Sequence, residues 1–68
     1  MTIYDLIMNV EVQGPVQIKK IMEDYADVIY ESEDGLWNCK ETEPFLDKEI
    51  IYMYVNSIPT LCIEIEEE

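Results

Sequence analysis

Residues 49–66, EIIYMYVNSIPTLCIEIE, decide the fold of this 68-residue chain. Residues 49–55 form an apolar run that predicts a strand buried on both faces. Residues 56–59 contain the asparagine, serine and proline that are typical of a turn, and residues 60–66 alternate strictly between apolar and polar side chains. The two runs therefore predict a β-hairpin. The alternation directs Leu61, Ile63 and Ile65 inward and Cys62, Glu64 and Glu66 outward.

One helix and two further strands are predicted upstream of this hairpin. Thr2 and Asp5 have the spacing of a capping box, in which each side chain binds the backbone N–H of the other residue, and they predict a short helix over residues 3–9. Strands are expected over residues 16–22 and 26–31. The alternation in the second of them places Ala26, Val28 and Tyr30 on one face and Asp27, Ile29 and Glu31 on the other.

The segment 36–48, LWNCKETEPFLDK, has no clean period, and Pro44 argues against a long helix there. We expect an irregular loop that Leu36, Trp37, Phe45 and Leu46 anchor on the core. Together the elements predict a single α+β domain over residues 1–68, in which a short N-terminal helix packs on a mostly antiparallel four-stranded sheet that ends in the β-hairpin.

One short helix cannot cover both faces of a four-stranded sheet. Part of the apolar strand at 49–55 is therefore expected to stay exposed as an aromatic strip, and such strips often mark protein interfaces. A homodimer through this strip is one hypothesis for the chain, with the charge serving solubility alone. The residues of the expected dimer face are Ile50, Tyr52 and Tyr54.

Acidic side chains outnumber basic ones by sixteen to four, so the chain carries a formal charge of −12. Its hydrophobic fraction of 49% is too high for a disordered acidic tail, and the charge must lie on a folded surface. A folded protein of this size exposes roughly 4,500 Å², or about 370 Å² for each net charge. Duplex DNA carries roughly one charge per 110 Å². Averaged over the surface, the negative charge is therefore too dilute to imitate DNA. The distribution of the carboxylates decides whether any part of the surface does so.

The composition argues against an enzyme. The chain has no histidine, which excludes serine–histidine and cysteine–histidine catalysis and imidazole metal ligands. Cys39 has only Lys40 as a nearby cation, and the surrounding carboxylates disfavour its thiolate. The acidic segment 31–35 lacks the residue order of a calcium loop, and two cysteines cannot complete a structural zinc site. We expect a non-enzymatic protein without a cofactor or a dedicated metal site, while weak binding of calcium or magnesium stays open.

The start MTIYDLIMNV lacks the basic region of a secretory signal, and no apolar run reaches membrane-spanning length. A cytoplasmic protein with two free thiols is expected, and a disulfide between Cys39 and Cys62 is the alternative. An anionic surface repels anionic membranes and nucleic acids, so neither is an expected direct partner.

A cationic protein, such as a nuclease or a DNA-binding protein, is the partner that the charge predicts. The C-terminal acidic cluster runs from Glu64 through Glu66 to Glu67 and Glu68. Glu64 and Glu66 would project from one strand face about 6.5–7 Å apart, near the spacing of successive phosphates, although any E-x-E strand shares this spacing. The residues expected to contact the partner are Glu31, Glu33, Asp34, Glu41, Glu43, Glu64 and Glu66.

The start MTIYDLI and the ending EIIYMYV…LCIEIEEE resemble those of small, strongly acidic α+β proteins of bacterial phages and mobile elements. That class includes DNA-mimic antirestriction proteins and several anti-CRISPR inhibitors. The resemblance covers about half of the chain and carries no diagnostic motif, so it assigns no role to any residue. It implies an inhibitor that occupies the nucleic-acid-binding surface of a host defence protein.

Overall fold

A computed structural model describes residues 1–66, in which one α-helix and one short 3₁₀ helix accompany four β-strands. The predicted α+β class is confirmed, and the predicted helix and strands agree with the observed ones to within about two residues. Glu67 and Glu68, the end of the predicted acidic cluster, lie outside the described residues. The elements are α1 (Ile3–Asn9), β1 (Val16–Ile21), β2 (Ala26–Ser32), the 3₁₀ helix (Glu43–Phe45), β3 (Ile50–Val55) and β4 (Leu61–Glu66).

The predicted capping box is present at the start of α1. The Asp5 N–H donates to Thr2 Oγ1 at 3.1 Å, and the Thr2 N–H donates to Asp5 Oδ2 at 3.1 Å. The hydrogen bond from the Thr2 backbone lowers the pKa of Asp5, and the hydrogen bond with the Thr2 side chain adds to this effect. The N–H groups of Ile3 and Tyr4 donate to the carbonyl oxygens of Lys48 and Leu46. The first turn of this short helix therefore has partners for the N–H groups that a helix start leaves free.

The four strands form one sheet in the order β2-β1-β4-β3. β1 pairs antiparallel with β2, and β3 pairs antiparallel with β4. The two central strands, β1 and β4, run parallel, with Val16 opposite Leu61. The sheet is therefore mixed, where the sequence predicted a mostly antiparallel one. A parallel pair needs a long connection between its strands, and no local pattern in residues 16–21 or 61–66 reports which distant strand will lie alongside.

Irregularities in the two edge strands change which side chains share a face. In β2 the register shifts so that Tyr30 lies opposite Ile18 and Val28 lies opposite Lys19, which leaves Ile29 as the extra residue. Tyr30 therefore lies on the core face and not with Ala26 and Val28, and the prediction of regular alternation through this strand is wrong.

The core lies on one face of the sheet. Val16 and Ile18 of β1 and Ile63 and Ile65 of β4 are completely buried, which confirms the inward positions predicted for Ile63 and Ile65. They are covered by side chains from α1 and from the segment between β2 and β3. The covering residues are Ile3, Leu6, Leu36 and Phe45.

Thr42 organises the segment that covers the core. Its hydroxyl is buried, accepts the Cys39 N–H at 3.0 Å and lies 3.1 Å from the carbonyl oxygens of Trp37 and Cys39, to which its single proton can be donated. Leu36 and Phe45 are buried and Leu46 packs against the core, as predicted. Trp37 is 46% exposed, so the prediction that it anchors the segment is wrong.

β3 is an edge strand of the sheet, and the prediction that it is buried on both faces is wrong. Every residue from Ile51 to Val55 is exposed. An apolar run is the usual signature of a strand buried on both faces. Here β4 takes the central position, and β3 retains an apolar sequence at the edge of the sheet.

Candidate functional site

The sheet face opposite the core carries no covering element within residues 1–66. We call it the open face. It is defined by the residues that alternate with the core residues along each strand and by their cross-strand partners. The open face comprises Gln17, Lys19 and Ile21 of β1, Ala26, Val28 and Glu31 of β2, Tyr52 and Tyr54 of β3, and Cys62, Glu64 and Glu66 of β4.

The strand pairing arranges the open face in rows across the sheet. Tyr52, Glu64, Lys19 and Val28 form one row, and Tyr54, Cys62, Gln17 and Glu31 form the next. Tyr52 and Tyr54 expose 63% and 41% of their surface, whereas Cys62 is buried. Two adjacent tyrosines of β3 therefore border a surface that carries carboxylates, the ammonium of Lys19 and uncharged side chains.

Hydrogen bonds fix two of the carboxylates on this face. Glu64 Oε2 accepts the Tyr54 hydroxyl at 2.7 Å, and Glu31 Oε2 accepts the Gln17 amide Nε2–H at 2.9 Å. Each bond connects neighbouring strands, so it restricts the rotamers of both partners. At about 4.8 Å between strands and about 3.3 Å along them, the α-carbons of Glu31 and Glu64 lie roughly 12 Å apart.

The hydrogen bond to Glu64 raises the pKa of Tyr54 to about 12, with smaller contributions from desolvation and from the charge of Glu64. The bond needs the neutral phenol as donor, so ionisation of Tyr54 breaks it. Since the folded state raises this pKa above the ordinary value of 10.0, its stabilising effect is complete below about pH 10 and is lost as the pH rises to about 12.

We expect this bond to be visible in an absorbance titration of the five tyrosines. Glu64→Gln replaces the charged acceptor with a weaker neutral one, so the ionisation near pH 12 should move towards pH 10. Tyr54→Phe should remove that ionisation altogether. Circular dichroism recorded at each pH monitors the sheet. If the highest ionisation persists unchanged in Tyr54→Phe, the assignment to Tyr54 is wrong.

The structure does not bring the seven predicted contact residues together. Glu31, Glu64 and Glu66 share the open face. Glu33 and Asp34 lie in the turn after β2, at one end of the sheet. Glu41 and Glu43 belong to the segment that covers the core, on the opposite side of the sheet, where Glu41 borders a surface depression together with Lys20 and Lys48.

The predicted dimer face is divided as well, because Ile50 pairs with Ile65 and packs on the core while Tyr52 and Tyr54 lie on the open face.

Averaged over the surface, the net negative charge is dilute. The accessible surface of 4639 Å², divided by the net charge of −12, gives about 390 Å² for each negative charge. Within residues 1–66 the only ion pair joins the N-terminal ammonium of Met1 to Glu49 at 3.2 Å. None of the four lysines pairs with a described carboxylate, so the lysines do not neutralise particular acids. The open face itself carries three carboxylates and the ammonium of Lys19.

Several open-face residues were not among the sequence-based candidates. Lys19 lies directly beside Glu64 because β1 and β4 are parallel neighbours, and Gln17 holds Glu31 from the same strand. Residue alternation in β1 and β4 is visible in the sequence. Only the parallel register, which is not, shows that Lys19 and Glu64 are adjacent.

Both cysteines are free, with Cys62 buried and Cys39 half-buried. Among residues 1–66, no cluster of three or more aspartate, glutamate and cysteine side chains is arranged to hold a metal ion. Helices of the length and apolarity needed to cross a membrane are not found in this part of the chain.

No protein-family model, curated protein or solved structure matches this chain.

Proposed function

We propose that the protein is a non-enzymatic binding module whose open face engages a cationic protein surface. The observation that carries this proposal is the exposed pair Tyr52 and Tyr54 beside Glu64 on an uncovered sheet face. Tyrosines supply broad, rigid contact area at low entropic cost, and they are enriched where proteins bind each other.

The chemistry of this face suits arginine. A guanidinium group donates two parallel hydrogen bonds to a carboxylate and also stacks on aromatic rings. The open face offers both features at adjacent positions, because Tyr52 lies opposite Glu64 and Tyr54 donates its hydroxyl to the same carboxylate. A second carboxylate, Glu31, lies two strands away and would meet a second cation of the partner.

The grooves in which proteins hold nucleic acid are lined with arginine and lysine side chains and have a positive potential. A nuclease or another DNA-binding protein is therefore the partner class that we propose, with the carboxylates of the open face in place of phosphates. The resemblance to phage and mobile-element inhibitors supports the same role. The net charge of −12 supports fast association with such a partner, because long-range attraction steers the encounter.

Salt-dependent capture tests this proposal. The immobilised protein, incubated with a bacterial lysate at low salt, should retain proteins with basic nucleic-acid-binding surfaces. It should release them near 0.5 M NaCl, where the Debye length falls to about 4 Å. Duplex DNA added as a competitor should also release them, because it binds the same surface of the partner. Retention that is unaffected by both salt and DNA would contradict the proposal.

A further inference from the structure

The free edge of β3 is an unprotected strand edge. Its sequence, IIYMYV, contains no charged residue and no proline, although lysine, proline and inward charges are the devices that protect natural edge strands. The other edge strand, β2, carries Asp27 and Glu31 and is interrupted by an extra residue at Ile29. The two edges of the same sheet therefore differ in the feature that controls edge-to-edge pairing.

Beyond its first residue, the free edge of β3 has no backbone hydrogen-bond partner within residues 1–66. The Asn56 N–H donates to the Thr60 carbonyl oxygen, towards the β4 side. Alternate residues of a strand direct their backbone groups to the same edge. The backbone N–H and C=O groups of Tyr52 and Tyr54 therefore also point towards β4, whereas those of Met53 and Val55 point away from it. The edge is occupied only at its start, where the Ile50 N–H donates to the Met1 carbonyl oxygen at 2.8 Å.

We propose that this edge pairs with β3 of a second copy of the chain, antiparallel about a two-fold axis at Met53. In this register Met53 lies opposite its own counterpart, and Tyr52 lies opposite Tyr54 of the second copy. A two-fold axis makes the pairing self-complementary, so each copy donates and accepts the same bonds. The result is one continuous eight-stranded sheet with four tyrosines at its centre.

The exposed area of this edge sets the upper limit of such an interface. The five residues from Ile51 to Val55 are between 39% and 64% exposed. Taking about 200 Å² for a fully exposed large side chain, they present roughly 500 Å² in each copy. Specific interfaces begin at about 500 Å² per partner. The area is at the low end, so the dimer is expected to dissociate on dilution.

The charge of the chain determines how the dimer responds to salt. Each copy carries −12, and the two copies repel each other until salt screens them. Dimerisation should therefore strengthen as salt increases, whereas binding to a cationic partner should weaken. This inference does not depend on the proposed function, and the opposite salt responses allow either one to fail without the other.

Sedimentation velocity over a concentration series tests the pairing. We expect a species of twice the 8.0 kDa chain mass, more abundant near 0.5 M NaCl than near 0.05 M NaCl because screening lengths fall from about 14 to about 4 Å. Met53→Lys places two ammonium groups opposite each other and should weaken dimerisation at least about tenfold. Val28→Lys is the matched control, because Val28 is similarly exposed, at 46% against 42%, and lies in the other edge strand. It makes the same charge change and should leave the dimer intact.

Amide hydrogen exchange distinguishes edge pairing from stacking of two open faces. On dimerisation the N–H groups of Met53 and Val55 should become protected, while those of Tyr52 and Tyr54, already directed towards β4, should change little. Val55→Pro removes a donor from the free edge without removing a bond to β4 and should also give a folded monomer. A parent protein that stays monomeric near 0.5 M NaCl, or a dimer that Met53→Lys and Val28→Lys weaken equally, would overturn the inference.

Discussion

Gly35→Ala is expected to destabilise the fold by about 3 kcal/mol or more. Gly35 has a φ of +117°, a conformation that side chains with a β-carbon rarely adopt. A β-carbon at this position would also collide with the Val12 carbonyl oxygen and lie 3.2 Å from Gln13 Cα. The Val12 oxygen cannot move aside freely, because it accepts the Leu36 N–H at 3.2 Å. A domain of this length has a total stability of only about 3–10 kcal/mol, so the variant should be substantially unfolded.

Gly14→Ala is the matched control for this substitution. Gly14 also has a positive φ, +88°, but no atom lies within 4 Å of the position of its missing β-carbon. Its replacement should cost only the backbone strain, about 1 kcal/mol. Urea unfolding followed by circular dichroism compares the two variants. Equal losses of stability would show that the contact between Gly35 and Val12 does not constrain the fold.

Local features of the fold were predictable because their causes are local. Thr2 and Asp5 bond each other three residues apart, so their spacing alone reports the start of α1. Strict alternation likewise placed Ile63 and Ile65 in the core. The turn that contains Gly35 is visible in its sequence, but the approach of Val12, from a distant segment, is not.

The remaining features depend on pairing between distant segments. One extra residue at Ile29 transfers Tyr30 to the core face, and a register shift between Ile50 and Tyr52 separates Ile50 from the two tyrosines of β3. Apolar content could not distinguish the edge strand β3 from a central one. For the same reason the sequence could not show that the segment containing Glu41 and Glu43 covers the face opposite Glu31 and Glu64.

Because the carboxylates lie on two sides of the sheet, paired substitutions can distinguish binding by the open face from an effect of total charge. Glu31→Lys with Glu64→Lys reverses two charges on the open face, and Glu41→Lys with Glu43→Lys reverses two on the other side of the sheet. Both double variants change the formal charge from −12 to −8. Charge pairs in close contact across an interface contribute about 1.5 kcal/mol or more each, so the open-face variant should lose about 100-fold in affinity. Charges further from the interface than the Debye length, about 8 Å at physiological salt, are screened, and the control should lose no more than about threefold.

The most direct test of open-face binding is therefore the capture of cationic proteins by these two double variants, measured side by side with the parent protein at one salt concentration. Circular dichroism first establishes that both variants are folded. We predict that the Glu31 and Glu64 variant captures almost none of the salt-released proteins, while the Glu41 and Glu43 variant captures nearly as much as the parent. Equal loss in both variants would show that total charge alone determines binding and would contradict a specific role for the open face.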